Sequence, residues 1–228
     1  MDILVTLDEG YLMQLRVMLT SLYLNHPNEL CRVYLLHSRI PDVRLRELGK
    51  GLRALGCELH PVRVDSRLFE KAPVTKQYPQ EMYYRLLAAR LLPEDLERVL
   101  YLDPDVLIIN SLKPLWELEM GDFLFAAASH TGKTEIANSV NRLRLGTDRN
   151  YYNSGVLLME LGSCRRAIVP EDVFRFVEDH AAELVLPDQD VLNAMYGSRI
   201  LEIDDFRWNY DARNYTSYYM RSAGDANL

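Results

Sequence analysis

The chain has little of what several protein classes require. It contains three cysteines, Cys31, Cys57 and Cys164, and an odd number at wide spacing fits neither a disulfide framework nor a zinc site. Its 26 basic residues are outnumbered by 33 acidic ones, which gives a net charge of −7, and they form no long run. Nucleic-acid-binding proteins rely on clustered Lys and Arg, so we expect no nucleic-acid partner.

Long apolar segments are also missing. The longest uninterrupted apolar runs, such as residues 123–128, fall far short of the ~20 residues that span a bilayer. The N-terminus lacks the basic segment and apolar stretch of a secretory signal. The sequence therefore predicts a cytoplasmic protein whose cysteines stay reduced.

The apolar pattern alternates between strand-like runs and helical spacing. A chain of 228 residues is long enough for one full core, and the order predicts a single Rossmann-like α/β domain with a mixed, mostly parallel sheet and helices on both faces. We predict strands at residues 3–7, 32–37, 58–64, 98–102, 123–128, 154–160 and 199–203. We predict helices after residue 11, around residues 45–55, and at residues 81–92, 171–182 and 189–196.

An acidic pair interrupts the most apolar part of the chain. Asp103 and Asp105 lie in the run Val-Leu-Tyr-Leu-Asp-Pro-Asp-Val-Leu-Ile-Ile-Asn, at the end of a predicted strand. Residues two apart on an extended chain share a side, and Pro104 biases Asp103 toward that conformation. Two neighbouring carboxylates suit a hard divalent ion such as Mn²⁺ or Mg²⁺. The alternative is a solvated turn whose carboxylates cap backbone amides.

Two common nucleotide-binding signatures do not occur. The first predicted strand-to-helix turn reads Thr-Leu-Asp-Glu-Gly-Tyr, not Gly-x-Gly-x-x-Gly, which argues against a dinucleotide-dependent dehydrogenase. There is no Gly-Lys-Ser/Thr phosphate loop. Asp8, Asp103 and Asp105 all follow predicted strands, where α/β sheets collect their ligands.

Five separated segments carry a common pattern, at residues 6–11, 84–86, 100–107, 152–158 and 187–193. In order and spacing across nearly the whole chain, these segments together resemble glycosyltransferase family 8. This family comprises retaining, metal-dependent enzymes of the GT-A fold that use UDP-glucose or UDP-galactose, among them bacterial lipopolysaccharide glycosyltransferases.

The resemblance implies a role for each matching residue. Asp103 and Asp105 would hold Mn²⁺ or Mg²⁺ on the donor diphosphate, where the ion stabilises the leaving UDP. The remaining donor-binding residues would be Thr6, Asp8, Tyr11, Arg85, Pro104, Asn153, Ser154, Asp188 and Gln189.

The nucleotide would meet Thr6, Asp8 and Tyr11, with the Tyr11 ring stacked on uracil. Tyr11 could instead pack in the core as an aromatic residue at the start of a helix. Arg85 would reach a sugar hydroxyl or a carboxylate, and its alternative is a solvated charge on a helix face.

The sugar would meet the later motifs. The resemblance places Asp188 and Gln189 against the donor sugar, with Gln189 near the anomeric carbon, and makes Gln189, Asp188 and Asp105 the catalytic set. Asp188 could instead cap a helix, and Asn153 and Ser154 could form an ordinary turn. His130 lies in a region that the family uses for sugar contacts, although a lone His is more often structural.

The chain departs from the family pattern near its end. Family members supply a third metal ligand from a His-x-x-Gly-x-x-Lys-Pro-Trp segment, which does not occur here. We expect that residues 1–228 are a GT-A domain without its C-terminal segment, which would also carry any peripheral membrane association. The aromatic residues at 206–219 would form either an acceptor wall or part of the core.

Two other functions remain open at this point. A strand ending in Asp-x-Asp also resembles the haloacid dehalogenase phosphatases, although their motif usually opens the chain. A catalytically silent protein that binds nucleotide sugars would fit the missing third ligand. The primary expectation is a hexosyltransferase with a UDP-sugar donor and a saccharide or other hydroxyl acceptor.

Overall fold

The computed structural model describes residues 1–27, 29–69, 80–129 and 135–222. In this part of the chain seven strands form one sheet. In chain order they are β1 (Asp2–Thr6), β2 (Cys31–His37), β3 (Cys57–Arg63), β4 (Arg98–Leu102), β5 (Phe125–Ala128), β6 (Val156–Glu160) and β7 (Ile200–Ile203).

The strands lie in the order β3-β2-β1-β4-β6-β5-β7. Neighbours from β3 to β4 are parallel, as are β5 and β7, whereas β6 runs antiparallel to both β4 and β5. The predicted mixed, mostly parallel sheet is therefore confirmed. All seven predicted strands are present, with ends that differ by up to two residues.

The reversed strand β6 shapes one edge of the sheet. β4 and β6 pair from Arg98 opposite Glu160 to Leu102 opposite Val156, so β6 begins where β4 ends. The backbone N–H of Asp103 continues this pairing by donating to the carbonyl of Gly155 at 2.8 Å. The residues that follow β4 therefore lie beside the residues that precede β6.

Helices connect the strands throughout the described residues. They are α1 (Leu12–Asn25), α2 (Asp42–Arg53), α3 (Glu81–Leu86), α4 (Ala88–Leu91), α5 (Lys113–Trp116), α6 (Glu135–Leu145), α7 (Leu161–Ala167), α8 (Pro170–Asp179), α9 (Pro187–Tyr196), α10 (Asp205–Trp208) and α11 (Tyr215–Ser222).

The helix predicted at residues 81–92 is two helices. The backbone at Leu87, which separates α3 from α4, has φ −102° and ψ 13°, away from the α-helical values of about −63° and −42°. The apolar spacing continues across this break, so periodicity alone did not show it. No helix was predicted at α5, α6, α7, α10 or α11. All of these except α6 have eight or fewer residues, which is too short for the helical repeat of apolar residues to be recognised.

Side chains that alternate along the strands belong to two hydrophobic cores, one on each face of the sheet. Ile3 and Val5 face one core with residues of α1 and α2, and Leu4 and Tyr101 face the other with residues of α3, α4, α8 and α9. Helices thus cover both faces, as predicted. None of the helices in the described ranges has the length and apolarity of a membrane span.

The turn from α2 to β3 requires glycine. Gly56 has φ +66°, in the left-handed region, and its carbonyl accepts from the N–H of Cys31. A Cβ at this position would lie 3.3 Å from the carbonyl oxygen of Glu29. Gly51, inside α2, has open space around it instead.

We expect opposite effects on stability at these two glycines. Gly56→Ala should lower the free energy of unfolding by about 1–2 kcal/mol, because an L-residue is strained at this φ. Gly51→Ala should raise it by about 0.5–1 kcal/mol, because alanine loses less backbone entropy in a helix. Urea denaturation at constant m-value measures both. Equal stability of Gly56→Ala and the parent would show that the turn tolerates a side chain.

Candidate active site

A cavity of about 380 Å³ opens at the carboxyl ends of β1 and β4. Open α/β sheets bind their ligands at this edge. The lining residues are Thr6, Leu7, Asp8, Tyr11, Glu81, Asp103, Pro104 and Asp105. The structure thus brings six of the sequence-predicted site residues to one cavity, and the prediction missed Leu7 and Glu81 as lining residues.

The two carboxylates of the acidic pair differ in their surroundings. The Asp103 side chain is 30% exposed and accepts hydrogen bonds, whereas Asp105 is exposed to solvent. Burial raises the pKa of the Asp103 carboxyl above its ordinary value, against the opposing effect of Arg85. The solvated-turn alternative is therefore wrong for Asp103.

Arg85 lies at the centre of the site. Its Nη2 donates to Asp103 Oδ1 at 2.5 Å and to the hydroxyl of Tyr101, and its Nη1 donates to Ser154 Oγ and Asp188 Oδ2, both at 2.6 Å. The side chain is 13% exposed, so it is not the solvated helix-face charge that the sequence left open. One guanidinium therefore joins the acidic pair to the start of α9.

The charge of Arg85 is stabilised despite its burial. Burial lowers the pKa of Arg85, but the neighbouring groups Tyr101, Asp103 and Asp188 together hold it above its ordinary value. The guanidinium carbon also lies 4.2 Å from the centre of the Tyr101 ring. Arg85 Nε is buried and has no hydrogen-bond partner among the described residues.

Tyr101 connects the acidic pair to β1. Its hydroxyl lies 2.6 Å from Asp103 Oδ1 and 3.3 Å from Thr6 Oγ1. Burial raises the pKa of the Tyr101 phenol, so this group is a neutral donor at physiological pH. Tyr101 was not among the predicted site residues, although strand alternation places it on the same side as Asp103.

The segment before β6 lies next to the cavity residue Asp103. Gln189 Oε1 accepts from the N–H of Ser154 at 3.1 Å. Asn153 Oδ1 accepts from the N–H of Gly155 at 2.7 Å and from Asn209 Nδ2 at 2.8 Å. Asn153 and Ser154 are thus held by the turn that the sequence offered as their alternative role, and Ser154 also accepts a hydrogen bond from Arg85. No sequence signal identified Asn209.

Gly155 is required by the proximity of the two walls. A Cβ at this residue would lie 2.7 Å from Asp103 Oδ2 and 3.0 Å from Asn153 Oδ1. Real side-chain contacts do not come this close, so any larger residue would displace the carboxylate of Asp103. Gly155 is a further site residue that the sequence analysis quoted only as part of a motif.

The start of α9 presents Asp188 and Gln189 to the site. Asp188 is 24% exposed and forms an ion pair with Arg85, while Gln189 is buried. The carboxylate that accepts backbone N–H groups at this helix terminus is Asp190, from Val185 and Leu186. Asp188 therefore contacts Arg85, whereas Asp190 holds the helix terminus.

Asp8 and Tyr11 also line the cavity. Asp8 Oδ1 accepts from the N–H of Gly10 at 2.8 Å and so caps a short 3₁₀ helix at Glu9–Tyr11. The Tyr11 side chain is 47% exposed. The core-packing alternative for Tyr11 is therefore wrong, and its ring faces the cavity.

The donor atoms present fit a hard divalent cation. Four of the described lining residues carry carboxylates, namely Asp8, Glu81, Asp103 and Asp105, and none is Lys or Arg. Asp103 and Asp105 offer oxygen ligands of the kind that Mn²⁺ and Mg²⁺ accept, with remaining positions open to phosphate or water. In the described residues no third His, Cys, Asp or Glu joins them in a metal-holding group.

The aromatic segment at residues 206–219 has mixed surroundings. Phe206 is buried, whereas Tyr215 and Tyr219 are 66% and 65% exposed, with ring centres 6.4 Å apart. The segment therefore serves the core at one end and presents aromatic surface at the other. The side chain of Tyr218 and the whole of His130 lie outside the described part of the chain.

Known proteins of similar sequence include three bacterial relatives. The chain is 29% identical over 213 residues to General stress protein A of Bacillus subtilis, which covers 92% of this chain and 73% of that protein. It is 27% identical over 192 residues to lipopolysaccharide 1,2-glucosyltransferase of Escherichia coli K12, covering 82% and 56%. For lipopolysaccharide 1,3-galactosyltransferase of Salmonella typhimurium the identity is 21% over 217 residues, covering 91% and 64%. The chain thus spans between 56% and 73% of the length of these relatives.

Solved structures share the fold. The galactosyltransferase LgtC, in complex with donor and acceptor sugar analogues, superposes with a TM-score of 0.83 at 27% identity, covering 99% of this chain and 80% of that one. Mouse xyloside xylosyltransferase 1 superposes with a TM-score of 0.65 at 18% identity, covering 97% and 92%, and this likeness concerns the fold alone. The sheet and its helices therefore form a GT-A fold, as the resemblance implied.

The family assignment covers almost the whole sequence. Residues 2–226 match the model of glycosyl transferase family 8. Together with the glycosyltransferases among its relatives and the GT-A fold, this match shows that the chain belongs to glycosyl transferase family 8.

Proposed function

We propose that this chain is a retaining, metal-assisted hexosyltransferase that moves glucose or galactose from its UDP-sugar to a saccharide hydroxyl. The observation that carries this proposal is the Arg85 network, which ties the acidic pair to Asp188 and Ser154. Diphosphate-side and sugar-side groups are thereby held on one rigid frame. Residues 1–228 would form one GT-A nucleotide-sugar glycosyltransferase domain.

The nucleotide end of the donor is assigned to the cavity side of β1. Tyr11 is half exposed and can stack on uracil, and Asp8 has a second carboxylate oxygen beyond the one that caps the 3₁₀ helix. Thr6 Oγ1 lies 3.3 Å from the Tyr101 hydroxyl. These groups are assigned to the nucleotide and not to the reacting bond, so they are expected to affect binding more than chemistry.

The diphosphate is assigned to the acidic pair together with Mn²⁺ or Mg²⁺. Asp103 and Asp105 would hold the ion, and the bound ion would supply Lewis-acid stabilisation of the charge on the leaving UDP. Arg85 fixes Asp103 Oδ1 and leaves Oδ2 free of hydrogen bonds from that guanidinium. Pro104 lies in the cavity wall between the two carboxylates.

The hexose is assigned to the wall formed by Ser154, Asp188 and Gln189. The N–H of Ser154 orients the Gln189 amide, whose carbonyl dipole can stabilise positive charge at the anomeric carbon in the transition state. Asp188 and Arg85 would orient the sugar hydroxyls by accepting and donating hydrogen bonds. Asn153, which precedes Ser154, is held in place by a hydrogen bond from Asn209 Nδ2.

The acceptor and the location are proposed from the relatives and from the thiols. Two relatives are lipopolysaccharide glycosyltransferases, which supports a saccharide acceptor and peripheral contact with a membrane. Cys31, Cys57 and Cys164 are buried free thiols, which supports a cytoplasmic location. Family membership replaces the phosphatase interpretation of the Asp-x-Asp motif.

One observation keeps a second function in view. The part of the chain that the structure describes offers two carboxylates to a metal and no third ligand, which favours a protein that binds nucleotide sugar without transferring it. UDP release from UDP-glucose or UDP-galactose in the presence of Mn²⁺ distinguishes the two functions. A protein that binds UDP tightly and releases none from either sugar is the binding protein.

The acidic pair gives the first functional test. Asp105→Asn should weaken Mn²⁺-dependent UDP binding about tenfold or more without lowering the melting temperature, because Asp105 is an exposed ligand. Asp103→Asn should weaken binding and also lower stability, because it leaves the buried Arg85 with one carboxylate partner fewer. Calorimetric titration with UDP and Mn²⁺ measures the affinity.

Asp172→Asn, an exposed carboxylate on α8, serves as the control and should bind as the parent does. Parent-like affinity in both Asp103→Asn and Asp105→Asn would remove the acidic pair from the metal site.

Tyr11 tests the assignment of the uracil end. Tyr11→Leu should weaken UDP binding about tenfold, since stacking of a base on an aromatic ring contributes roughly 1–3 kcal/mol. Tyr11→Phe keeps the ring and should bind nearly as tightly as the parent. Neither substitution should change the melting temperature, because the side chain is half exposed. Equal affinity of the Leu and Phe variants would contradict stacking.

Gln189 and Asp8 separate chemistry from binding. Gln189→Ala should lower kcat for UDP release by roughly 10- to 100-fold with little change in the donor KM, because its dipole acts mainly in the transition state. Asp8→Ala should act mainly on KM, because nucleotide recognition is remote from the reacting bond. A Gln189→Ala variant that changes KM alone would make Gln189 a sugar-positioning residue.

A further inference from the structure

A buried ion pair lies directly behind the sugar wall. Arg144 of α6 donates from Nη1 to Asp190 Oδ2 and from Nη2 to Asp190 Oδ1, both at 2.8 Å. The Asp190 side chain is fully buried and that of Arg144 is 19% exposed. The geometry is bidentate, which combines strength with a fixed orientation.

Asp190 holds the segment that leads into α9. Besides Arg144, its carboxylate accepts from the N–H of Val185 at 2.7 Å, the N–H of Leu186 at 3.0 Å and the hydroxyl of Tyr151 at 2.5 Å. These two N–H groups immediately precede the first turn of the helix, where no intrahelical partner exists. The carboxylate thus fixes the path of the chain just before Asp188.

The same helix face is joined to the segment before β6. Asn193 accepts from the N–H of Tyr152 at 2.7 Å and donates to its carbonyl at 2.8 Å. Tyr151 bonds Asp190 in the same stretch. Hydrogen bonds of Asp190 and Asn193 therefore hold the segment before β6 to α9, and Arg144 of α6 binds the same Asp190.

We infer that Arg144 is a positioning residue, which acts through Asp190 to hold Asp188 and Gln189 in place; this inference rests on the proposed function. Arg144 also donates to the carbonyl of Glu183 at 2.6 Å, so it holds both ends of the 183–190 segment. Loss of its charge would leave Asp190 buried without its cation, and the start of α9 would shift to let water reach that carboxylate.

Displacement of Gln189 should lower the rate more than the affinity. A misplacement of about 1 Å can slow catalysis about 100-fold, because the reacting groups no longer align. In the proposed function donor affinity depends mainly on the nucleotide and diphosphate contacts. Arg144→Leu should therefore lower kcat for UDP release about 10- to 100-fold and change the donor KM much less.

The experiment compares Arg144→Leu with Arg144→Lys and Arg98→Leu. Arg144→Lys keeps the charge but cannot form the bidentate pair, so its kcat should lie between those of the parent and the Leu variant. Arg98→Leu breaks another partly buried ion pair, with Glu160, at the first residue of β4 and thus at the opposite end of that strand from Asp103. It controls for stability, and its kcat should match that of the parent.

Two readouts are measured at a temperature at which all variants are folded. The first is UDP release from UDP-glucose and UDP-galactose with Mn²⁺. The second is hydrogen exchange at the N–H groups of Val185 and Leu186, which should accelerate about tenfold in Arg144→Leu and remain as in the parent in Arg98→Leu.

Unchanged exchange at these two amides in Arg144→Leu would overturn the inference, as would faster exchange spread equally over the chain in both Leu variants. A parent that releases no UDP from either sugar would refute the proposed transferase activity, while the exchange comparison would still decide whether Arg144 holds this segment.

Discussion

The rest of the site depends on one buried cation. Arg85 lies between Asp103 and Asp188, which come from distant parts of the chain and would repel each other without it. Isolated charges are costly to bury, so the guanidinium is stable only because carboxylates, hydroxyls and the face of the Tyr101 ring surround it. The guanidinium in turn holds both carboxylates, one in the cavity lining and one at the start of α9. The breakage of either ion pair would leave a buried charge without its partner, which is why this network is expected to tolerate little substitution.

The antiparallel strand β6 makes this network possible. A wholly parallel sheet would place the start of β6 at the far edge, away from the end of β4. Because β6 is reversed, Ser154 and Gly155 precede it at the same edge at which Asp103 follows β4, and the hydrogen bond from Asp103 N–H to the Gly155 carbonyl joins them. The proximity then requires glycine at residue 155, since a Cβ would meet Asp103 Oδ2 at 2.7 Å. Fold topology, backbone pairing and residue choice at this edge are thus consequences of one another.

The sequence predicted the seven strands, the longer helices except α6, and six of the residues that line the cavity, but it could not predict how these parts are connected. Asp103 and Asp105 were identified because carboxylates in an apolar strand need a reason to be there. The pairing of Arg85 with Asp188 spans 103 positions and depends on the tertiary arrangement of α3 and α9, which periodicity does not encode. The break at Leu87 was missed because the apolar spacing continues across it. Asn209 was missed because a single Asn among aromatic residues carries no pattern, and only its contact with Asn153 gives it a role.

The charge of the cavity connects the structure with the chemistry proposed for it. The described lining has four carboxylates and no basic residue, and Arg85, the nearby cation of the network, already interacts with two carboxylates. A diphosphate brought to this wall would add negative charge to negative charge, which costs several kcal/mol in a partly buried site. In the proposed function Asp103 and Asp105 would hold a divalent cation, and its charge would offset that repulsion. The acidic lining and the two ion pairs of Arg85 therefore leave no basic side chain of the described lining for a phosphate, which is why the proposed function requires a cation that would bind together with the donor.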